Sequence, residues 1–284
     1  MSTGLLLILL ALFGLAIGSF LNVVIVRVPA GESLLHPPSK CPLCENPIAP
    51  RDNIPVLSWI LLRGRCRHCA EPIPAGYPLV ELTNTVLWVL AGVRFGASVE
   101  VIPYAVLFSV LLALSVIDLE LYILPNKITY PSILVSLVAI PVLSIAFGDN
   151  PKSLIEGALI GGIGFAGFLL LILLMWELIM RKEGMGMGDV KLAVLLGLWL
   201  GWLDPILTLM ALIASSLIGL LVGVVIFAIR KESRPFPFGP WLALGSVLVI
   251  LFSGPILRFY KFDDDVSVSM RAPASTSFEV VAGR

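Results

Sequence analysis

Eight stretches of 14 to 27 residues, at 4–26, 77–93, 101–117, 128–147, 154–180, 190–203, 205–228 and 236–257, run with almost no charged side chain. A helix that crosses the hydrocarbon of a bilayer takes about 20 mostly apolar residues. Every backbone polar group must be satisfied within the segment, because lipid offers no partner. The expected fold class is therefore an all-α polytopic membrane protein with about eight transmembrane helices. Charged residues make up 13% of the chain, roughly half of the usual quarter in a soluble domain. Nineteen Lys and Arg cancel nineteen Asp and Glu, so a nucleic-acid partner, which would ask for a basic stripe, is not expected. The high hydrophobic content also excludes an intrinsically disordered chain.

The first stretch reads as a retained helix. Met1-Ser2-Thr3-Gly4 has no positive n-region, and the apolar run is longer than a signal-peptide core. Orientation follows from the basic residues of the loops. Segments 27–76, 118–127, 181–191 and 229–235 carry 13 Lys and Arg, and the other side of the membrane carries 6. The heavier side is expected to be cytoplasmic, with both termini facing outward. No internal repeat is evident in the pattern.

All four cysteines fall in one polar loop, as Cys41-Pro-Leu-Cys44 and, 21 residues on, Cys66-Arg-His-Cys69. Two C-x-x-C pairs at this separation suit a tetrathiolate zinc site, which would tie together a loop too small for its own core. Two disulfides are the alternative, but they belong to an oxidising compartment. With four thiolates no coordination position stays open, so such a site is structural. His68, inside the second pair, reads as a solvated neighbour.

Acids inside or beside membrane helices are costly and become functional candidates. Glu177 stands four residues before Arg181, where a helix-surface ion pair accounts for it. Asp204 precedes Pro205 in a turn and reads as a cap. Glu81 lies about one turn inside the second stretch and resists such an explanation. Asp118 ends the third stretch, ahead of Leu124-Pro125-Asn126, and Asp189 opens the sixth within Gly184-Met185-Gly186-Met187-Gly188-Asp189. Both fall at the same boundary, reached from opposite chain directions. Two carboxylates in a partly dehydrated site do not both ionise easily, so one can serve as acid while the other activates water. The competing reading has Asp118 and Asp189 capping helices or pairing with Lys127 and Lys191. The glycines before Asp189 leave a backbone without bulk, able to hold an extended substrate closely.

These residues carry a family resemblance. Gly18-Ser19-Phe20-Leu21-Asn22, the two C-x-x-C pairs, Pro78-Leu79-Val80-Glu81-Leu82, Asp118 with Leu124-Pro125-Asn126, Gly186-Met187-Gly188-Asp189 and Phe236-Pro237-Phe238-Gly239-Pro240 run in order over most of the chain. In this the chain resembles the bacterial type IV prepilin leader peptidases with N-methyltransferase activity. The resemblance implies a bacterial inner-membrane aspartic peptidase of the G-x-G-D type. It would remove the basic leader of type IV prepilins or type II secretion pseudopilins after a glycine, then methylate the new N-terminus with S-adenosylmethionine. Carried over by motif position, Asp118 and Asp189 are the catalytic pair, and Cys41, Cys44, Cys66 and Cys69 bind zinc. Glu81 would belong to the transferase half. The expected organisation is a first helix at 1–28, a cytoplasmic zinc domain at 29–76, a seven-helix peptidase core at 77–258 and a disordered tail at 259–284.

No G-x-G-x-x-G turn marks a methyl-donor site, so its residues stay unassigned. A peptidase without transferase activity, a transporter and a non-catalytic scaffold remain as alternatives. A transporter would favour acids near the bilayer midplane and a repeat.

Overall fold

The computed structural model describes residues 2–181, 186–230 and 237–260. Glu183 to Met185, Phe236 and the tail beyond Tyr260 lie outside them, and with them part of the glycine run and the expected disorder. Among the described residues the long elements are all helices: α1 (Thr3–Ala30), α2 (Leu57–Leu61), α3 (Gly76–Phe95), α4 (Val101–Leu121), α5 (Asn126–Phe147), α6 (Pro151–Met180), α7 (Met187–Leu203), α8 (Ile206–Arg230) and α9 (Gly239–Leu251). Residues through Leu251 pack as one compact unit, and a second begins at Phe252.

Every one of the eight apolar stretches falls on a helix, but the count of eight spans is not matched by length and apolarity. Among the described residues five helices, α1, α4, α5, α6 and α8, meet both on their own, or six if the bent pair that begins with α9 is taken as one span. The reason is local. Helix α3 carries Glu81, Asn84 and Arg94 in its 20 residues, and α7 has only 17 residues, most of them buried. Helix α8, in contrast, exposes Leu217, Leu220, Leu221 and Val224 to its surroundings, which suits contact with lipid.

Local chemistry sets the helix ends. Ser2 Oγ accepts the Leu5 N–H to start α1, and Gly31, at φ +74°, ends it by donating to Arg27 and Val28 carbonyls. Asp204 Oδ1 accepts the Ile206 N–H at 3.1 Å, the cap expected of it. Glu177 and Arg181 form no ion pair among the described residues. Arg181 has already left the helix at φ 52°, and its backbone N–H caps the Glu177 carbonyl instead.

Glycines let two helix pairs approach closely. A Cβ at Gly14 or Gly18 of α1 would lie 2.9 Å from Thr85 Cα or 2.8 Å from Glu81 Cα of α3. Between α6 and α7 the seam is made of Gly157, Gly161, Gly197 and Gly201, where a Cβ at Gly157 would stand 2.6 Å from the Gly201 carbonyl oxygen. This is the small-residue spacing by which membrane helices gain contact. A Gly161→Leu variant is expected to prise α6 from α7 and cost about 1–3 kcal/mol, read as earlier thermal unfolding in detergent.

Helices α4 and α7 run antiparallel, fastened at one end by a buried ring cluster. The Tyr104 hydroxyl donates to the Trp199 carbonyl at 2.8 Å, and its ring stacks on Phe95 at 4.5 Å. Trp199 and Trp202 donate to Ser136 and Ser144 of α5 at 2.8 and 2.9 Å. With Tyr104 at the start of α4 beside the end of α7, the end of α4 must meet the start of α7.

Candidate active site and metal centre

That meeting brings Asp118 and Asp189 together. Asp118 lies in the last turn of α4 and Asp189 in the first turn of α7, and they are 6% and 8% exposed. A Cβ built at Gly239 would stand 2.6 Å from Asp118 Oδ2 and 3.4 Å from Asp189 Oδ1, which bounds the two oxygens to about 6 Å apart. The Gly239 N–H, at the start of α9, donates to the Asp118 carboxylate. Three helices from distant parts of the chain thus converge on one point.

Neither carboxylate forms an ion pair among the described residues. Lys191 donates instead to Asn126 Oδ1 at 2.9 Å and lies 5.0 Å from the Tyr130 ring centre. The capping alternative holds only in part, since Asp118 receives the first N–H of α9 while the start of α7 has no side-chain cap. A cavity of about 610 Å³ opens over the pair, lined also by Tyr122, Leu124, Gly186, Lys191 and Phe238. Its floor is bare where Gly186 sits, with nothing nearer its would-be Cβ than the Gly188 nitrogen at 3.8 Å. Gly188 is already helical, and its missing side chain makes room for Leu124, 3.1 Å from the would-be Cβ.

Phe238-Gly239 is the part of this site that sequence reasoning missed as a site element. The signal was present as a Phe-Pro-Phe-Gly-Pro run opening the last apolar stretch, but nothing local says that its glycine faces two acids. In a Gly239→Ala variant the new methyl would press on Asp118 Oδ2. Misplacement of about 1 Å costs about 100-fold in rate, and a loss of that size is expected in any reaction the pair performs.

The thiols build a second centre. The Sγ atoms of Cys41, Cys44, Cys66 and Cys69 lie within 4.8 Å of one another, with Cys41 to Cys69 at 3.8 Å and Cys44 to Cys66 at 4.0 Å. None is in a disulfide. A tetrahedral ion with Zn–S bonds of about 2.3 Å needs sulfurs about 3.8 Å apart, so the donor set fits zinc.

The two halves repeat one knuckle. The carbonyls of Cys41 and Cys66 each accept the backbone N–H four residues on, from Glu45 and Ala70, and their own N–H groups donate to the carbonyls of Asn46 and Glu71. Glu45 and Ala70 both take positive φ, 57° and 58°. The match Cys44-Glu-Asn-Pro-Ile against Cys69-Ala-Glu-Pro-Ile is a repeat too short to register as a period in the whole chain. Arg67 clamps the second knuckle to the intervening turn by a two-point bond to Asp52, at 2.7 Å through Nε. Backbone N–H groups of Cys69 and His68 lower the Cys66 thiol to about 6. The Glu71 N–H holds Cys69 down, but burial and the thiols of Cys66, Cys44 and Cys41 outweigh it and push Cys69 up to about 12.

Glu81 is 7% exposed and faces a different cavity from the aspartates, between the cysteine loop and the adjoining ends of α1 and α3.

Comparison with known proteins places this architecture. Residues 12–95 match the bacterial peptidase A24 N-terminal domain, and residues 105–224 match the type IV leader peptidase family. The chain is 38% identical over 283 residues to the prepilin leader peptidase/N-methyltransferase of Aeromonas hydrophila, covering 89% of this chain and 92% of the relative. The chain belongs to the type IV leader peptidase family. The protein of the same description from Myxococcus xanthus is 39% identical over 230 residues, 80% of this chain and 65% of the relative. That from Pectobacterium carotovorum is 36% identical over 271 residues, 86% and 92%. No solved structure matches the chain. The N-terminal match takes in α1 from residue 12 on, the knuckles and α3, and the leader-peptidase match takes in Asp118 and Asp189 but ends before Gly239. All-helical architecture, multiple membrane-spanning helices and a four-cysteine cluster able to hold a metal are therefore features of a leader peptidase family member.

Proposed function

We propose that the protein removes the basic leader of type IV prepilins or type II secretion pseudopilins after a glycine, and then methylates the exposed N-terminal amine with S-adenosylmethionine. The observation that carries the first step is the convergence of Asp118 and Asp189, buried and without an ion-pair partner among the described residues, under an open cavity.

The chemistry follows from two carboxyl groups sharing one proton. The ionised carboxylate takes a proton from a water held between the two, and the water oxygen bonds to the scissile carbonyl carbon. The protonated partner gives its proton to the carbonyl oxygen, and a tetrahedral diol forms. Return of a proton to the amide nitrogen lets the C–N bond break, leaving a new carboxyl group on the leader and a free amine on the mature chain. Proton transfer of this kind contributes about 10²- to 10⁴-fold. Lys191 and Asn126, beside the pair, offer polar contacts for the substrate backbone. The bare backbone at Gly186 lets an extended segment lie close.

The distribution of basic residues supports placing this cavity and the cysteine cluster at the cytoplasmic face of a bacterial inner membrane. A substrate with its apolar helix in the bilayer and a basic leader in the cytosol would present its cutting point at that level. Zinc, held by Cys41, Cys44, Cys66 and Cys69, would cross-link the two knuckles and take no part in bond breaking, since four thiolates leave no open position. Asp118 and Asp189 stand at helix ends, which disfavours the transporter alternative. The deciding experiment gives the purified chain a substrate with a basic leader, a Gly-Phe junction and an apolar helix. Mass spectrometry is expected to show cleavage after glycine, and one added methyl group only when S-adenosylmethionine is present. A folded chain that cuts nothing refutes the proposal.

A further inference from the structure

Helix α2, between the two knuckles, has two unlike sides. On the inner side Ser58 is buried, its hydroxyl donating to the Arg51 carbonyl at 3.1 Å. Trp59 donates through Nε1 to the Ile73 carbonyl at 3.1 Å, and its ring lies 2.9 Å from a Cβ built at Gly64. On the outer side Leu57, Ile60 and Leu61 are 48%, 58% and 71% exposed, and Ile54 is exposed one turn earlier. Steps of three and four residues put these four aliphatic side chains on one helical face. A contiguous apolar face of this kind marks a contact surface.

The place of α2 says what meets that face. Val56, which opens it, donates its N–H to Glu81 Oε2 at 2.7 Å, in the second turn of α3. Here α1 and α3 are joined by Asn22 Nδ2, which donates to the Tyr77 carbonyl at 3.1 Å. At this level α3 turns Leu79 and Leu82 outward and α1 turns Phe20 outward, side chains that belong in lipid. The turn is strained. Val56 takes φ 60°, ψ −48°, and a β-branched residue keeps such a conformation only where its surroundings over-determine it. The loop is thus tied to membrane helices at both ends and again at Val56.

Charge completes the match. Lys40 pairs with Glu45 at 3.3 Å and Arg67 pairs with Asp52. Arg51, Arg63 and Arg65, the basic residues closest to α2 in the chain, are exposed and form no ion pair among the described residues. We propose that α2 is an interfacial anchor: Leu57, Ile60 and Leu61 enter the acyl edge of the bilayer that α1 and α3 cross, and Arg51, Arg63 and Arg65 lie against anionic lipid phosphates. An apolar face with flanking cations is what holds a helix in the plane of a membrane surface. Arginine side chains are long enough to reach the headgroups from a helix seated below them. So short a helix would not hold a membrane alone, but the helices on either side already do, and α2 only settles the loop between them. The inference does not depend on the chemistry proposed above.

The test places the full, zinc-loaded chain in nanodiscs of phosphatidylcholine, with and without phosphatidylglycerol. A trace lipid carries a photoreactive diazirine at the headgroup end of its acyl chain. After irradiation, unfolding and digestion, mass spectrometry measures lipid adducts on the peptide that carries α2. Adducts on the α1 and α3 peptides are the internal standard, and zinc content reports the folding of the loop. Adducts are expected at residues 57–61 when phosphatidylglycerol is present. Arg63→Gln with Arg65→Gln is expected to lower their yield at least about fivefold, the factor by which one basic residue favours an anionic surface. Leu57→Ser with Leu61→Ser is expected to remove them. Adducts confined to α1 and α3, or unchanged by either pair of substitutions, overturn the proposal. Equal yields with and without phosphatidylglycerol overturn it too. Deuterium uptake at 57–61 that slows only when a prepilin-like substrate is added overturns it in favour of a protein partner.

Discussion

Asp118→Asn and Asp189→Asn are each expected to reduce leader cleavage by about 10³-fold or more, at the upper part of what positioned proton transfer contributes. The substitution is chosen for what it spares. Asn at position 118 keeps an oxygen to accept the Gly239 N–H, so the junction of α4 and α9 survives. What it removes is the ability to take or give a proton. The two variants are also expected to behave alike, because a shared-proton mechanism needs both groups and fails whichever is lost. Cleavage followed by mass spectrometry, with membrane insertion and thermal unfolding as controls, checks this. Activity within tenfold of the parent in either variant would exclude a two-acid mechanism. A substrate supplied already cut should still be methylated by both.

Loss of the metal is expected to have the second large effect, on the loop and not on the membrane helices. Within residues 29–76 only Ser58 and Gly64 are buried and the cysteines are at best half-buried, so the order of the loop is expected to depend on the cross-link that a bound zinc would supply. Cys66→Ser is expected to drop zinc from about one ion per chain to none and to open the loop to trypsin at Lys40, Arg51, Arg63, Arg65 and Arg67. A chelator should do the same to the parent. Removal of an outer partner alone weakens metal sites about 10- to 100-fold, and loss of a ligand exceeds that. The pH dependence has a definite sign. At neutral pH Cys66, lowered to about 6, is already a thiolate, whereas Cys69, pushed up to about 12, still holds its proton. Zinc must expel that proton, so affinity rises with pH. Below about 6 Cys66 protonates too and retention should fall further. Titrations in buffers of different ionisation enthalpy would count the protons released. Trypsin resistance that persists after zinc is stripped would show that the loop does not need the metal.

Much of this was legible in the chain. Apolar stretches located the helices because a membrane helix advertises itself by length and composition. The cysteine spacing announced a cluster because its turns are local. Asp118 and Asp189 stood out because acids at the edges of such stretches are costly. What stayed hidden depends on distance through space. Gly239 lies 50 residues from Asp189 in the chain, and no pattern places it between two carboxylates. Length and apolarity alone do not single out α7 as a span, because it is short and apolar along a stretch that is mostly buried among its neighbours. Glu81 looked like a residue without an explanation, and only the strained turn at Val56 and the cavity beside it show what it faces.

The order in which the chain is made gives the α9 junction a further meaning. Asp118 and Asp189 are synthesised and inserted well before Gly239, yet the first N–H of α9 completes the surroundings of Asp118. A nascent chain that has threaded α1 through α8 therefore holds both acids and lacks the element that seats them. On the proposed function, proteolytic competence is expected to arrive only with the last apolar segment. A chain that stops before that segment would insert, fold its glycine seam and remain inert.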